Sequence, residues 1–181
     1  MTMNIGGSDR RRLALTALGV LVFAMSSAGF TLKRFVGIAT HTLAVGAPFP
    51  DLVLSDATGH PVAEPAYKVQ RAIVAVAKPT CPHCAVELGY LDRLAGSLSH
   101  KVPLVIIAEP DGASDAELRE FLAAYGSRLT IYVDGRRELL AQYPGTRVPT
   151  LYFLDSGRVR QVLLGERSQD YLRSQIEAFS R

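Results

Sequence analysis

The sequence has few side chains of the kind that bind metal ions, since its 181 residues include only two cysteines and four histidines. The cysteines are Cys81 and Cys84, with His83 between them, and the other three histidines are scattered at positions 41, 60 and 100. A structural zinc site needs four ligands, commonly in two close pairs. A haem attachment motif needs a histidine directly after the second cysteine, where this chain has Ala85. We therefore expect no metal site and no cofactor.

The chain also lacks an excess of basic residues outside its N-terminal part. The first 43 residues hold five basic residues and one acidic residue, whereas residues 44 to 181 hold 15 basic and 16 acidic residues. The formal net charge of +3 therefore comes from the N-terminal segment, and it does not describe a surface that would bind nucleic acid. We exclude nucleic acid as a partner. The sequence contains no internal repeat and no low-complexity tract.

The N-terminal segment contains a long uncharged apolar run. Residues 13 to 32 carry no charge, three arginines precede them, and Lys33 and Arg34 follow. Such a run at about 1.5 Å per helical residue would cross about 30 Å of hydrocarbon, and the leading arginines predict a cytoplasmic N-terminus. We expect residues 1 to 32 to be a signal anchor whose hydrophobic helix, residues 13 to 32, spans the membrane.

A cleaved signal peptide is the main alternative, with residues 13 to 25 as its apolar core and small residues before the cleavage site. A buried helix of the domain is a third interpretation. The two leading interpretations both place the domain outside the cytoplasmic membrane of a bacterium, either held to the inner membrane or released into the periplasm, where disulfides persist. Residues 33 to 47 would then be a linker, and residues 48 to 181 the folded domain.

The pattern of residues 48 to 181 predicts one α/β domain. Short extended pieces flank a turn at Thr58-Gly59, beginning with residues 52 to 54, and the later strands are rich in β-branched residues. Ser114 and Glu117 form a capping-box pattern at the start of a helix. The predicted strands are residues 71–77, 102–108, 129–134, 149–155 and 158–165, and the predicted helices are 82–98, 114–126, 136–143 and 168–180. This order predicts a mixed central sheet with helices on both faces.

Cys81 and Cys84 lie between a predicted buried strand and a predicted helix, an arrangement typical of redox-active dithiols. A structural disulfide over so short a loop would constrain the unfolded chain very little. The first helical turn has unsatisfied N–H groups and a partial positive charge, and both favour a thiolate at Cys81. We expect Cys81 to be the exposed attacking sulfur and Cys84 to be the buried partner. The two would form a Cys81–Cys84 disulfide when oxidised.

The residues between the cysteines are expected to tune this couple. Pro82 suits the first helical turn, because that position needs no hydrogen-bond donor. His83 is either a solvent-facing helix residue or a donor that stabilises the Cys81 thiolate and makes the disulfide more oxidising. The Pro-His pair resembles that of strongly oxidising periplasmic thiol oxidases.

Three motifs in order resemble the redoxin and TlpA/ResA-like thioredoxins, from about residue 45 to the C-terminus. They are "GAPFPDLVLSDATGHPV", "CPHCAVELGYL" and "YPGTRVPTLYFLDSGRV". The resemblance implies a thioredoxin-like α/β fold with an N-terminal β extension, and a tethered or secreted oxidoreductase. It also implies that the Val148-Pro149 bond is cis and that Val148, Pro149 and Thr150 position the substrate chain beside the dithiol.

The sequence departs from this family at several positions. Thr80 stands where a tryptophan is usual, and "PTCP" is closer to the MauD-like proteins that help to mature methylamine dehydrogenase. Ala75 occupies the strand position at which thioredoxins bury an acid, so no carboxylate there can accept the Cys84 proton. Lys78 and Glu87 are candidates for tuning the dithiol, although a partly solvated charge is the simpler interpretation of each.

The leading hypothesis is a thiol-disulfide oxidoreductase that acts on protein thiols and disulfides, with an upstream membrane electron donor or acceptor. A role in maturing cytochrome c or a metalloenzyme follows only from the resemblance. A peroxidase is an alternative, but Lys78 stands where such enzymes have a threonine ahead of the reactive cysteine. A Cu(I) chaperone that uses Cys81, Cys84 and His83 as soft ligands is another. The direction of electron flow remains open at this point.

Overall fold

The fold is built on a six-stranded mixed sheet, seen in a computed structural model that describes residues 42–96, 102–126 and 128–181. The predicted anchor or signal peptide and residues 33 to 41 of the predicted linker lie outside the described residues. Within the described ranges, no helix is both long enough and apolar enough to span a membrane.

Six strands and four helices make up the described domain. The strands are β1 (Ser55–Asp56), β2 (Arg71–Ala77), β3 (Leu104–Ala108), β4 (Thr130–Val133), β5 (Thr150–Asp155) and β6 (Arg158–Leu164). The helices are α1 (Pro82–Ala95), α2 (Asp115–Tyr125), α3 (Glu138–Gln142) and α4 (Gln169–Ser180). From β2 onward, the order of strands and helices is the one predicted from the sequence.

The strands lie in the order β1-β4-β3-β2-β5-β6. The strands β2, β3 and β4 are parallel, whereas β5 runs antiparallel to β2 and pairs with β6 through the turn at Ser156-Gly157. Both turn residues have positive φ angles, as a tight two-residue hairpin turn requires. Because β2 is central, its end is flanked by the end of β3 and by the start of β5, and these surround the dithiol.

Side chains of β2 alternate between two cores, one on each face of the sheet. Ile73 and Ala75 face the core that contains α1, α2 and α4, whereas Val74 and Val76 face the core that contains α3. Burial on both faces explains why this strand is a continuous apolar run with no polar interruption. The predicted thioredoxin-like arrangement, a mixed sheet flanked by helices, is confirmed.

Most element boundaries lie within two residues of the predictions, and the two largest differences are three residues. The helix α1 ends at Ala95, with Gly96 as its C-cap, rather than at residue 98. The first strand is Ser55–Asp56 rather than residues 52 to 54, because it pairs with β4 and is closed by a bridge from Ser55 to Pro61. Leu43 is buried and Gly46 donates a hydrogen bond to Val159, so the last part of the predicted linker packs on the domain.

Candidate active site

The two cysteines lie at the start of α1, where β2 ends. Cys81 is the N-cap residue, and its Sγ accepts a hydrogen bond of 3.2 Å from the backbone N–H of Cys84. The sulfur therefore occupies the place that an oxygen takes in an ordinary N-cap, at the positive end of the helix dipole. Pro82 is the first helical residue, as predicted. This geometry stabilises a negative charge on the Cys81 sulfur.

Cys84 has the opposite environment. Its side chain has no solvent exposure, whereas Cys81 is partly exposed, and both thiols are free. Burial raises the pKa of the Cys84 thiol, and its hydrogen bond and charge interaction with Cys81, together with the nearby Glu87 carboxylate, add to that effect. The two sulfurs thus differ in the way that the spacing predicts, with an accessible first thiol and a sealed second one.

The loop before β5 lies against the first thiol. The Val148-Pro149 peptide bond is cis, as the resemblance implies. The Cys81 thiol lies 3.9 Å from the Val148 carbonyl oxygen, and the Thr150 hydroxyl donates to the Arg147 carbonyl. The loop predicted to position the substrate is therefore in contact with Cys81, and the positioning role itself stays a prediction.

Glu87 corrects one expectation, because it is not a partly solvated charge. Only 1% of the residue is exposed, since it lies on the buried face of α1, one turn beyond Cys84. Its Oε2 accepts a 2.8 Å hydrogen bond from the backbone N–H of Arg167, and its Oε1 has no partner. Burial raises the pKa of Glu87 to about 7, against the lowering effect of Arg167. A carboxyl group that titrates near neutral pH therefore lies behind the dithiol.

His83 contacts an acidic residue rather than the first thiol. Its Nδ1 lies 2.8 Å from Oε2 of Glu166, in the loop between β6 and α4, and the imidazole is largely exposed. The same loop holds Glu87 through Arg167, so it contacts α1 at two places. The solvent-facing interpretation of His83 fits this position, and the tuning role stays a prediction.

Lys78 is partly buried at the end of β2, and it forms an ion pair with an acidic side chain. Its Nζ lies 2.8 Å from Oδ2 of Asp111, and the hydrogen bond and charge of Lys78 lower the pKa of that carboxyl group. The Lys78 carbonyl accepts the N–H of Cys81 at 3.2 Å, which fixes the turn that leads into the dithiol.

The sequence profile of the AhpC/TSA family matches residues 45–162. The chain belongs to the AhpC/TSA family. It is 23% identical over 160 residues to the thiol-disulfide oxidoreductase ResA of Geobacillus kaustophilus, a match that covers 88% of this chain and 91% of that protein. The ResA protein of Geobacillus thermodenitrificans is 22% identical over 170 residues, covering 93% and 97% of the two chains.

Solved structures share the fold of this AhpC/TSA protein. A thiol:disulfide interchange protein of the thioredoxin family from Chlorobium tepidum superposes with a TM-score of 0.61 at 21% identity, covering 76% of this chain and 99% of that one. A secreted disulfide oxidoreductase of Mycobacterium tuberculosis, homologous to DsbE of E. coli, gives 0.60 at 22% identity, covering 70% and 95%. The predicted class, a thioredoxin-like thiol-disulfide oxidoreductase, is confirmed by these relatives.

Two buried carboxyl groups of this AhpC/TSA protein were not predicted from the sequence. Glu109 follows β3 and Asp134 follows β4, and neither has any exposed surface. Burial and the neighbouring Asp134 raise the pKa of Glu109 to about 8. Asp134 also accepts the backbone N–H of Leu139 at 2.9 Å, at the start of α3. The sequence does contain a pattern that could have indicated them. Each acid directly follows an apolar strand, at the end of the sheet where the dithiol lies.

Proposed function

We propose that Cys81 and Cys84 exchange electrons with cysteine pairs of protein substrates outside the cytoplasmic membrane. One observation supports this most strongly: the Cys81 sulfur is a partly exposed N-cap, while Cys84 is sealed one turn further along α1. A nucleophilic, accessible sulfur and a protected resolving sulfur are what dithiol–disulfide exchange requires. The location outside the membrane rests on the apolar run at residues 13 to 32.

In the reducing direction, the Cys81 thiolate attacks one sulfur of a substrate disulfide. A new bond joins Cys81 to that sulfur, and the other substrate sulfur leaves as a thiolate and takes up a proton. Cys84 then loses its proton and attacks the Cys81 sulfur, which releases the second substrate thiol and leaves the Cys81–Cys84 disulfide. Two electrons pass from the protein to the substrate, and the oxidising direction is the same sequence reversed.

Glu87 is suited to accept the proton that Cys84 loses. Its carboxyl group is buried, interacts with the Cys84 thiol, and has its pKa raised to about 7. Near neutral pH such a group can both take up and release a proton, as a general base or acid must. Ala75 occupies the strand position at which thioredoxins bury an acid. Glu87, which lies on α1, would therefore accept the proton in place of that acid.

The proposal is tested by measuring the reduction potential of the full chain and by trapping its substrates. Equilibration in glutathione buffers at pH 7, read by alkylation of free thiols, gives the potential. A value near about −270 mV would make it a reductant and one near about −120 mV an oxidant. The variant Cys84→Ser should hold substrates as mixed disulfides on Cys81, and Cys81→Ser should not.

Two other results would count against this function. Peroxide consumption that depends on Cys81 and exceeds the rate of disulfide exchange would favour the peroxidase alternative. Stoichiometric Cu(I) binding by Cys81 and Cys84 without disulfide exchange would favour the metal chaperone. A maturation role for cytochrome c or a metalloenzyme would be supported if the trapped partner were an apoprotein whose metal or haem site contains cysteines.

A further inference from the structure

A charged cleft of about 450 Å³ opens beside the dithiol, at the edge of the sheet where the parallel strands end. Its lining includes Lys78 after β2, Asp111 after β3, and Arg136 and Arg137 after β4. Ligands of α/β proteins commonly bind outside this edge of the sheet. The cleft adjoins the segments that hold Cys81. The carbonyl of Lys78 accepts the N–H of Cys81, and Thr146, another lining residue, lies two positions before Val148, whose carbonyl oxygen contacts the thiol.

Asp111 in this cleft forms ion pairs with two basic side chains. Asp111 accepts from Nζ of Lys78 at 2.8 Å and lies 2.7 Å from Nη2 of Arg137. The two cations therefore outnumber the carboxylate between them. Arg136 is weakly paired, since its Nη1 lies 3.8 Å from Oε1 of Glu138 and most of its side chain is exposed. Its guanidinium group is available to a second carboxylate.

Arg137 has a backbone conformation that is uncommon for a residue other than glycine. Arg137 has φ of 58° and ψ of 34°, in the left-handed region that favours glycine or asparagine. It is the N-cap residue of α3, yet its side chain caps no backbone group of that helix. Its guanidinium group points to Asp111 instead.

The lining of the cleft is positive although the domain as a whole is not. Three bases (Lys78, Arg136 and Arg137) and one acid, Asp111, line it, and Glu138 lies beside Arg136 as a second, partly exposed acid. Behind them lie Glu109 and Asp134, and because the pKa of Glu109 is raised to about 8, that residue keeps its proton at neutral pH. Residues 44 to 181 in total carry one more acidic than basic residue.

We propose that this cleft binds acidic residues that flank the reactive cysteines of the substrate protein. The carboxylates of such a segment would pair with Arg136 and with the Lys78–Arg137 cations while its cysteine meets Cys81. The inference rests on the proposed function and names the class of substrate for the same site. Charge complementarity of this kind chiefly raises the rate of encounter, and its effect falls with ionic strength.

The test compares disulfide peptides that differ only in the residues flanking their cysteines, which are acidic, neutral or basic. The full chain is first reduced, and single-turnover rates of peptide reduction are measured at low salt and at about 0.5 M salt. We expect the acidic peptide to react about fivefold faster than the neutral one at low salt and the basic peptide to react more slowly. At high salt the three rates should converge.

Arg136→Glu should abolish or reverse this preference, and Arg136→Gln should weaken it. The matched control is Arg158→Glu, which reverses a charge at the opposite end of the sheet and should keep the wild-type preference. An uncharged dithiodipyridine gives the intrinsic thiol reactivity of each protein, and the peptide rates of that protein are divided by it before they are compared.

The outcomes separate this inference from the proposed function. Failure of the protein to exchange with dithiodipyridine or any peptide would overturn the proposed function itself. Exchange at equal rates with all three peptides, or a preference that Arg136→Glu leaves intact, would overturn only the acidic-substrate inference. Equal inhibition of all three peptides by added phosphate would also overturn it, because the cleft would then hold a small anion instead of a substrate segment.

Discussion

Glu87 lies where it can control the proton that leaves Cys84. The carboxyl group is buried within the helix that carries both cysteines, and only one of its oxygens is hydrogen-bonded. With a pKa raised to about 7, it is mostly protonated below that pH and mostly ionised above it. Only the ionised form can accept a proton, so the second step of the exchange should depend on the state of Glu87.

We predict that Glu87→Gln slows resolution of the mixed disulfide by about tenfold at pH 8, a modest size for the loss of a general base. In the wild type this rate should rise as pH increases through about 7, and the rise should be absent in the variant. The measurement is the release of a labelled peptide from a preformed mixed disulfide on Cys81 between pH 5.5 and 9.

The control is Glu177→Gln, at an exposed position of α4, which should keep the wild-type pH profile. In Glu87→Gln the new side-chain amide oxygen can still accept from the Arg167 N–H, so the fold is expected to persist. A variant that slows the reaction equally at every pH, with the rise near pH 7 retained, would show that Glu87 is not the base.

Glu166 holds His83 away from the reacting sulfur. The two side chains meet at 2.8 Å, and the Cys81 sulfur instead contacts Val148. We predict that Glu166→Gln frees the imidazole to approach the thiolate, which stabilises the reduced form and makes the disulfide more oxidising. The expected shift in the equilibrium with glutathione is about threefold, since exposed ion pairs contribute at most about 1 kcal/mol.

A double-mutant comparison isolates this effect. In a His83→Ala background, Glu166→Gln should produce no further shift of the equilibrium, because the group through which it acts is gone. The same shift with and without His83 would mean that Glu166 acts on the thiol through its own charge.

The sequence predicted the geometry of the two cysteines better than it predicted the contacts of the residues around them. Cys81 and Cys84 follow from local spacing, because strand, helix start and cysteines are contiguous. The partner of His83 is 83 positions away along the chain, and that of Glu87 is 80 away. Such contacts depend on where the loop after β6 returns to α1, which no local pattern records.

At the scale of elements, the N-terminus of the helix α2 is closed by a complete capping box. The Ser114 hydroxyl accepts from the N–H of Glu117, and the Glu117 carboxylate accepts from the N–H of Ser114. We predict that Ser114→Ala lowers the free energy of unfolding by about 1 kcal/mol, the usual cost of losing an N-cap. Chemical unfolding of the full chain, followed by circular dichroism, measures this.

The comparison variant is Ser174→Ala, which removes a hydroxyl from the exposed middle of α4. It should leave stability unchanged or raise it by about 0.5 kcal/mol, because alanine is a better helix former than serine. Equal losses in the two variants would show that the capping box of α2 contributes nothing particular to stability.

The positions of helices and strands were predicted correctly where the sequence signal is local. They were predicted less well where a strand is defined by its pairing with a distant strand. The box at Ser114 and the turn at Ser156-Gly157 marked their elements correctly. The position of β1 was wrong by two to three residues, because Ser55 and Asp56 become a strand only through pairing with Val133 and Tyr132 of β4. The helix α1 ends at Ala95, with Gly96 as its C-cap, which is earlier than the apolar spacing predicts.

At the scale of the whole molecule, two buried acids lie at the ends of adjacent parallel strands. Glu109 and Asp134 have no exposed surface, and Glu109 has its pKa raised to about 8 by burial and by Asp134. Glu87 adds a third buried carboxyl group, with a pKa of about 7. In the unfolded chain a glutamate loses its proton near pH 4.5, so between that pH and the folded-state values the native protein binds more protons than the unfolded one.

This difference fixes the sign of the pH dependence. Where the native state binds more protons, the free energy of unfolding falls as pH rises. We therefore predict that the protein is most stable near pH 5 and loses stability progressively up to about pH 8. Glu109→Gln should flatten this decline by an amount on the order of 5 kcal/mol, because its pKa rises from 4.5 to about 8 and each pKa unit corresponds to about 1.4 kcal/mol.

The measurement is a series of urea unfolding curves of the full chain between pH 5 and 8.5, and the slope of stability against pH is the quantity compared. The slope is compared because Glu109→Gln can also change the packing of the core. Such a change would alter the free energy of unfolding by the same amount at every pH and would leave the slope unchanged. Glu120→Gln, at an exposed position of α2, should reproduce the wild-type slope. If Glu109→Gln does so as well, Glu109 loses its proton in the folded protein at an ordinary pH, and the raised pKa inferred from its burial beside Asp134 is wrong.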